Sequence, residues 1–273
     1  MKKKISLLFL VVLTAALTLV GCGSGSSSDD NVFRVGMEAG YPPFNWTQSD
    51  DSNGAVKIEG SSEYAGGYDV EIAKKIAEGL GKELVIVKTE WDGLVPALTS
   101  GKIDAIIAGM SPTEERKETI DFSNNYYQSQ LVLVVKNGGA YSDATTLADF
   151  SGAKVTGQLN TFHYSVIDQI PGVNKVEAMD NFPAMRVALE SGVIDAYVSE
   201  KPEAVSAQAA NSNFKMIELK DGFEVNPEDT QTAVGIKKNS DLTEKINEIL
   251  AGISEDEQTN IMSEAVKNQP AAQ

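Results

Sequence analysis

Three polar residues of this 273-residue chain stand where secondary structure should begin or end, and together they suit a small zwitterion. Arg116 lies about one turn into a helix that Ser111-Pro112-Thr113-Glu114 predicts. Ser111 and Glu114 there read as a capping box, with Pro112 at the first helical position. An open helix N-terminus attracts anions, and a guanidinium holds a carboxylate through two parallel hydrogen bonds that lysine cannot imitate. The alternative is a plain cap and a solvated arginine. Thr161 follows a strand expected over residues 154–158 and precedes a helix starting near Phe162. Its hydroxyl and the free N–H groups there serve either an anion or only the helix. Glu200 ends a further strand before Lys201-Pro202; it either neutralises an ammonium or pairs with Lys201 or water. Carboxylate donors at one end and an ammonium acceptor at the other are the complement of a free α-amino acid.

The elements that must position these residues alternate. Val32–Met37 reads as a strand, and residues 38–44 (EAGYPPF) as a loop leaving its C-terminal end, because two prolines stop a ladder. Residues 48–66 are polar and Gly/Ser-rich, which predicts an exposed excursion. Tyr68–Leu80 places Val70, Ile72, Ala73, Ile76, Ala77 and Leu80 at helical spacing, with Gly81 as the stop. A strand over Glu83–Lys88, a short helix over 94–99 and a strand over 103–108 follow. Strands alternating with helices predict parallel sheets covered on both faces.

An internal echo divides the chain. Residues 97–105 read ALTSGKIDA and residues 188–196 read ALESGVIDA, seven of nine positions agreeing at a spacing of 91. Each unit is a helix end, a Ser-Gly break and a strand beginning Ile-Asp-Ala, which predicts two similarly built lobes. The same offset carries Gly109 onto Glu200. Ligands of open α/β sheets sit outside the carboxyl ends of strands, and pockets favour domain boundaries. Gly109-Met110-Ser111 and Ser199-Glu200 therefore mark a shared site.

Charge and cysteine usage exclude whole classes. With 23 Lys+Arg against 39 Asp+Glu the net charge is −16, which repels phosphate backbones, so no nucleic-acid partner is expected. One Cys and one His cannot build a structural zinc site or an internal disulfide. No glycine-rich phosphate loop and no Gly-x-Ser-x-Gly elbow occurs, and no cofactor is implied. Lys2, Lys3 and Lys4 precede an apolar run over residues 5–20 that ends at Leu19-Val20-Gly21-Cys22. That is an export signal, and the run is shorter than the roughly 20 residues needed to span a bilayer. The lone cysteine resembles a bacterial lipobox, with Cys22 as the lipidated first residue of the mature chain. Residues 23–30 (GSGSSSDD) form a flexible tether.

The stretches 38–44 (EAGYPPF), 67–73 (GYDVEIA), 91–104 (WDGLVPALTSGKID), 109–116 (GMSPTEER) and 120–123 (IDFS) resemble the polar amino-acid group of bacterial extracellular solute-binding proteins, family 3, which feed ABC importers. The resemblance implies an α/β, two-lobed, periplasmic-binding-protein-like fold, each lobe a mostly parallel sheet flanked by helices, with a two-strand hinge. It implies a signal peptide over 1–21, a tether over 22–31, a first lobe over 32–135, a second over 136–233, and a return to the first lobe with C-terminal helices over 234–273. The family pattern puts the hinge crossings near 133–137 and 233–238. By the same resemblance Arg116 grips the ligand carboxylate helped by Thr161, Glu200 grips the ammonium, Tyr41 and Trp91 are aromatic clamps, and Glu38 is the first-lobe acid. Glu38 between two aromatic rings suits a cationic end group, which favours Arg or Lys over Gln, a ligand such an acid also serves.

Two features depart from the family pattern: Asn160 stands where a glycine is usual, and residues 253–269 read as a different amphipathic helix. His163 reads as a partly exposed helix position. The implied partners are a free L-amino acid, an ABC importer permease and the outer face of the cytoplasmic membrane through Cys22, with the protein a monomer. The competing readings are an enzyme on the same scaffold, of the cyclohexadienyl (arogenate) dehydratase kind, and a sensory surface module.

Overall fold

Val32–Met37 buries Phe33, Val35 and Met37, and this strand is β1 of a computed structural model that describes residues 31–270. The expected signal peptide, Cys22 and residues 22–30 of the tether lie outside the described residues. From β1 the chain runs through β2 (Gly40–Tyr41), β3 (Asn45–Gln48), β4 (Val56–Lys57), β5 (Tyr64–Gly66) and α1 (Tyr68–Leu80). Next come β6 (Glu83–Lys88), α2 (Trp91–Thr99), β7 (Ala105–Ile106), α3 (Glu114–Thr119) and β8 (Ile120–Gln128). A second series follows: β9 (Leu131–Lys136), β10 (Lys154–Thr156), α4 (Phe162–Ser165), β11 (Asn174–Lys175), α5 (Phe182–Ser191), β12 (Ala196–Glu200), α6 (Lys201–Ala210) and β13 (Phe214–Ile217). The chain ends in β14 (Gln231–Lys237), α7 (Leu242–Ala251) and α8 (Glu255–Asn268).

Two five-stranded sheets of matching topology result, ordered β6-β1-β7-β14-β8 and β11-β10-β12-β9-β13. Each is parallel except for its fourth strand, β14 in one and β9 in the other, which is antiparallel to both neighbours. The two lobes of the sequence reading are these sheets with their helices. The 91-residue echo maps α2 and β7 onto α5 and β12, and its conserved-looking chemistry has one explanation. Asp104 Oδ2 accepts the Arg34 amide at 2.8 Å, and Asp195 Oδ2 accepts the Lys154 amide at 2.8 Å. In both lobes the aspartate of Ile-Asp-Ala thus ties the entry of the central strand, β7 or β12, to its parallel neighbour, β1 or β10. The Ser-Gly break before it turns at a left-handed glycine, Gly101 (φ 77°) or Gly192 (φ 78°), a conformation a Cβ would strain.

Each reversed strand belongs to the lobe opposite the one the chain has just built. The first exchange lies at Ser129-Gln130, not near 133–137, because Leu131–Lys136 is paired along its length with β12 and β13. An apolar run buried on both faces is a central strand, not a linker: Val132 and Val134 join one core cluster while Leu131, Leu133 and Val135 join the other. The second exchange falls at Thr230, before β14, whose Ala233, Val234 and Ile236 are fully buried in the first sheet. The two crossings touch: the Ser129 amide donates to the Thr230 carbonyl at 2.8 Å, and Gln128 Nε2 to the Thr230 hydroxyl at 2.8 Å.

Residues 48–66 are more than an exposed excursion. β5 pairs with β3, and β4 with β5, in a four-stranded sheet ordered β2-β3-β5-β4, and Ile58 and Ala65 are buried. Nor do the prolines abolish pairing, since they occupy the turn while Gly40 and Tyr41 pair with Trp46 and Asn45. The C-terminal helix forms as α8, with Ser254 Oγ accepting the Glu257 amide at 3.2 Å. Its end reaches the second lobe, where Gln269 Nε2 donates to the Ser206 carbonyl at 3.2 Å.

Asp104→Ala removes the acceptor of a part-buried strand amide. Loss of about 1–2 kcal/mol of unfolding free energy is expected, read as a lower denaturant midpoint, with a smaller loss for the more exposed Asp195→Ala.

Candidate functional site

Strand exits of both lobes face one another, as the echo requires. Glu38 and Tyr41 follow β1, Gly109 and Ser111 follow β7, and Trp91 opens α2. From the other lobe come Gln158, Thr161 and His163 beyond β10, Phe182 at the start of α5, and Glu200 at the end of β12. Between them remains a cavity of only about 10 Å³, no larger than one water-sized sphere. Side chains therefore fill the cleft, and an amino acid enters only when the lobes part or a side chain moves.

Tyr41 fills the centre. Its ring stacks on Phe44 at 4.9 Å and, across the cleft, on Phe182 at 4.5 Å. Its hydroxyl donates to Glu200 Oε2 at 2.5 Å. Gly109 makes room for it: φ is +62°, and a Cβ there would lie 2.7 Å from the Tyr41 ring. The Gly109 loop is held from behind, its amide donating to the Tyr126 hydroxyl at 3.2 Å. Tyr126 donates in turn to Asp69 at 2.8 Å, as Asn45 does at 2.7 Å. Burial raises Asp69 to about 6 against these bonds.

Arg116 is anchored differently from the expectation. Helix α3 begins at Glu114 with Thr113 as its N-cap, Thr113 Oγ1 accepting the Arg116 amide at 3.4 Å. Ser111 is not the cap because its hydroxyl donates to the Asp229 carbonyl at 2.7 Å; Pro112 accordingly precedes the helix. The guanidinium does turn back, with Nη1 on the Ser111 carbonyl at 2.9 Å and Nη2 on the Asn160 carbonyl of the other lobe at 3.4 Å. It lies 5.0 Å from the Trp91 ring centroid. Burial lowers its proton affinity to about 10, still a full cation at neutral pH.

In the second lobe Asn160 adopts φ 55°, a left-handed turn that asparagine tolerates, so the family's glycine turn is kept. Asn160 Nδ2 donates to Asp92 at 2.9 Å. Thr161 caps no amide with its side chain; its hydroxyl donates to the Gln158 carbonyl at 2.8 Å. Gln158 Nε2 reaches across to both Glu38 oxygens at 3.2 Å. His163 is buried at 6% exposure rather than partly exposed, since α4 is a single turn pressed into the cleft.

Glu200 is 1% exposed and unpaired with Lys201, which bridges to Glu218 at 3.1 Å. Its Oε1 is buried with no hydrogen-bond partner among the described residues. Burial raises it to about 7, against the Tyr41 hydrogen bond and the Arg116 charge. Burial likewise raises Glu38 to about 7, the Gln158 bond lowering it and the charges of Glu90 and Asp92 adding to the rise. Glu38 also borders an open groove of about 800 Å³ whose rim carries Glu63, Glu90 and Lys88. The arrangement opposes one buried cation to two buried acids on a water-poor path.

The eight residues expected from the sequence to bind the ligand (Glu38, Tyr41, Trp91, Gly109, Ser111, Arg116, Thr161 and Glu200) come together around this cleft. Gln158, Phe162, His163 and Phe182 were missed. Phe182 was legible, because the 91-residue offset carries Trp91 onto it and each opens the equivalent helix.

Residues 33–266 match the bacterial extracellular solute-binding proteins, family 3. The arginine-binding extracellular protein ArtP of Bacillus subtilis is 29% identical over 92% of both chains. A probable histidine-binding protein of Campylobacter jejuni is 33% identical over 77% of this chain and 78% of its own. Among solved structures, an amino acid ABC transporter substrate-binding protein, AbpA, of Streptococcus pneumoniae bound to L-arginine superposes with a TM-score of 0.74. It is 26% identical and covers 87% of this chain and 95% of its own.

Glu38, Glu200 and Asp69 bind protons more tightly folded than unfolded. Their contribution to stability is thus complete below about pH 4 and lost as pH rises through 6–7. Without added amino acid, the melting temperature is expected to fall between pH 5 and pH 8, and Glu200→Gln to flatten that slope.

Proposed function

The chain belongs to family 3 of the bacterial extracellular solute-binding proteins, and on that premise we propose that it captures a free basic amino acid, arginine or lysine, and delivers it to an ABC importer. It acts as a carrier and not as an enzyme, a monomer held at the outer face of the cytoplasmic membrane by lipid on Cys22. One observation carries the reading: Arg116 and Tyr41 line one small closed cavity, and behind Tyr41, from the opposite lobe, Glu200 holds its hydroxyl with one oxygen and leaves the other unpartnered among the described residues. In this reading the ligand carboxylate sits at Arg116, near Ser111, Gly109 and Thr161. The ammonium takes the place of the Tyr41 hydroxyl at Glu200, exchanging a neutral donor for a charged one, which makes roughly twice as strong a bond. The side chain runs between Tyr41 and Trp91 toward Glu38, whose neighbours Glu90 and Asp92 and acidic outer rim favour a distal cation. ArtP, named for arginine, and AbpA, solved with L-arginine, support that preference, while the Campylobacter jejuni relative is named for histidine.

Closure and binding are one event here. Tyr41, Trp91 and Arg116 belong to one lobe and Thr161 and Glu200 to the other, so a zwitterion touching both ends has higher affinity for the closed arrangement and shifts the population toward it.

Thermal shift of the mature protein against all twenty amino acids tests the reading. Arginine or lysine at 100 times its Kd should add about 2.7 kcal/mol, while glutamine should not; a shift by glutamine alone would remove the basic preference. Arg116→Ala should weaken binding of arginine by roughly 2–5 kcal/mol, measured by calorimetric titration.

A further inference from the structure

His163 is the single histidine of the chain, and the roles assigned above make no use of it. Its ring lies beside Phe162, centroids 4.4 Å apart, and edge-on to Phe182 at 6.0 Å. It lines the same small cavity as Arg116, Ser111 and Thr161. Nδ1 and Nε2 are both buried, and neither has a hydrogen-bond partner among the described residues. Burial, and then the Arg116 charge, lower its proton affinity to about 3, so the ring is neutral at physiological pH. A neutral imidazole has one N–H donor and one lone pair. Leaving both bare inside a protein incurs the full desolvation penalty of each with no bond in return. A ring that served only to pack between Phe162 and Phe182 would be filled as well by phenylalanine, without stranding two nitrogens. The bare nitrogens point instead to a partner that arrives with the ligand.

Arg116 decides which end of the ligand that is. Its charge acts directly on His163, so an anion drawn to the guanidinium lands beside the imidazole. An ammonium there would face the Arg116 cation. We propose that His163 is a specificity-determining ligand-binding residue whose neutral imidazole donates an N–H to the ligand carboxylate opposite Arg116. The inference rests on the reading of the cleft as an amino-acid site. It adds a second donor to the negative pole from the Thr161 lobe, His163 facing Arg116 across the small cavity that both line. A ligand with no oxygen there, the decarboxylated amine, then loses both contacts, while the amide keeps only a neutral acceptor in place of a charged one.

Calorimetric titration of the full folded chain with L-arginine, L-argininamide and agmatine tests this, using wild type, His163→Phe and His163→Gln. His163→Phe is expected to weaken L-arginine about tenfold, L-argininamide by less, and to leave agmatine nearly unchanged. His163→Gln, which keeps a donor, should stay within about threefold of wild type for L-arginine. Because there is only one imidazole, its ¹⁵N–¹H signals are unambiguous; saturation with L-arginine should shift the ring N–H proton downfield, and agmatine should not. Equal weakening of all three ligands by His163→Phe, or an unmoved ring signal in the L-arginine complex, would reduce His163 to packing. Those outcomes leave the amino-acid reading standing. If wild type binds L-glutamine instead, L-glutamine and L-glutaminamide replace the pair in the same cycle. Failure of wild type to bind any of the twenty amino acids would overturn that reading and this inference together.

Discussion

A carboxylate taken out of water must find charge or hydrogen bonds, and Glu200 is left with one bond where it has room for several. The protein supplies the Tyr41 hydroxyl to one oxygen and nothing to the other. Burial first, and then the charges of Asp69 and Glu203, raise the proton affinity of Glu200, and a cation beside its unpartnered oxygen relieves that cost. Arg116 is the counterpart of opposite sign. It is kept half-buried by the Trp91 face and two carbonyl oxygens, none of which neutralises it. A zwitterion satisfies both groups at once, and neither group can satisfy the other from across the cleft.

The duplicated lobe architecture makes this opposition possible. In each sheet the central strand is pinned to its parallel neighbour by the aspartate just before it, which accepts an amide of that neighbour. The exits of these strands then become equivalent points in two facing lobes. One exit carries Gly109, where the absence of a side chain admits Tyr41. The other carries Glu200. Equivalent positions in a repeat thus hold unlike residues, and the difference between them is the site.

Exchange of one strand between the lobes confines the connections to two adjacent segments, joined by Ser129, Gln128 and Thr230. Motion between lobes is restricted to those segments, because β9 and β14 are each locked in a sheet on both edges. Cross-cleft bonds from Tyr41, Gln158, Arg116 and Asn160 hold the closed arrangement. Several of these are the groups that a ligand would recruit, so the protein closes on itself with the contacts it would otherwise give to an amino acid.

The linear sequence determined the layered α/β plan, the two lobes and the charged poles of the cleft. Those features depend on local rules: apolar periodicity, turn residues, and Ile-Asp-Ala repeated at a fixed offset. Arg116 and Glu200 were legible because each stands at an element boundary, where side chains can reach a site. Tertiary structure alone decided the rest. Whether residues 131–136 link or pair depended on β12 and β13, which lie far along the chain. Ser111 read as a helix cap until Asp229, 118 residues away, took its hydroxyl. His163 read as an exposed helix position because burial is a property of what packs against a residue. Phe182 comes to it from α5 of the same lobe, and Arg116 reaches it only when the lobes face each other. Hydrogen bonds and burial across the cleft join residues about 40 to 160 positions apart, and no pattern in a short window of sequence records which of them will meet.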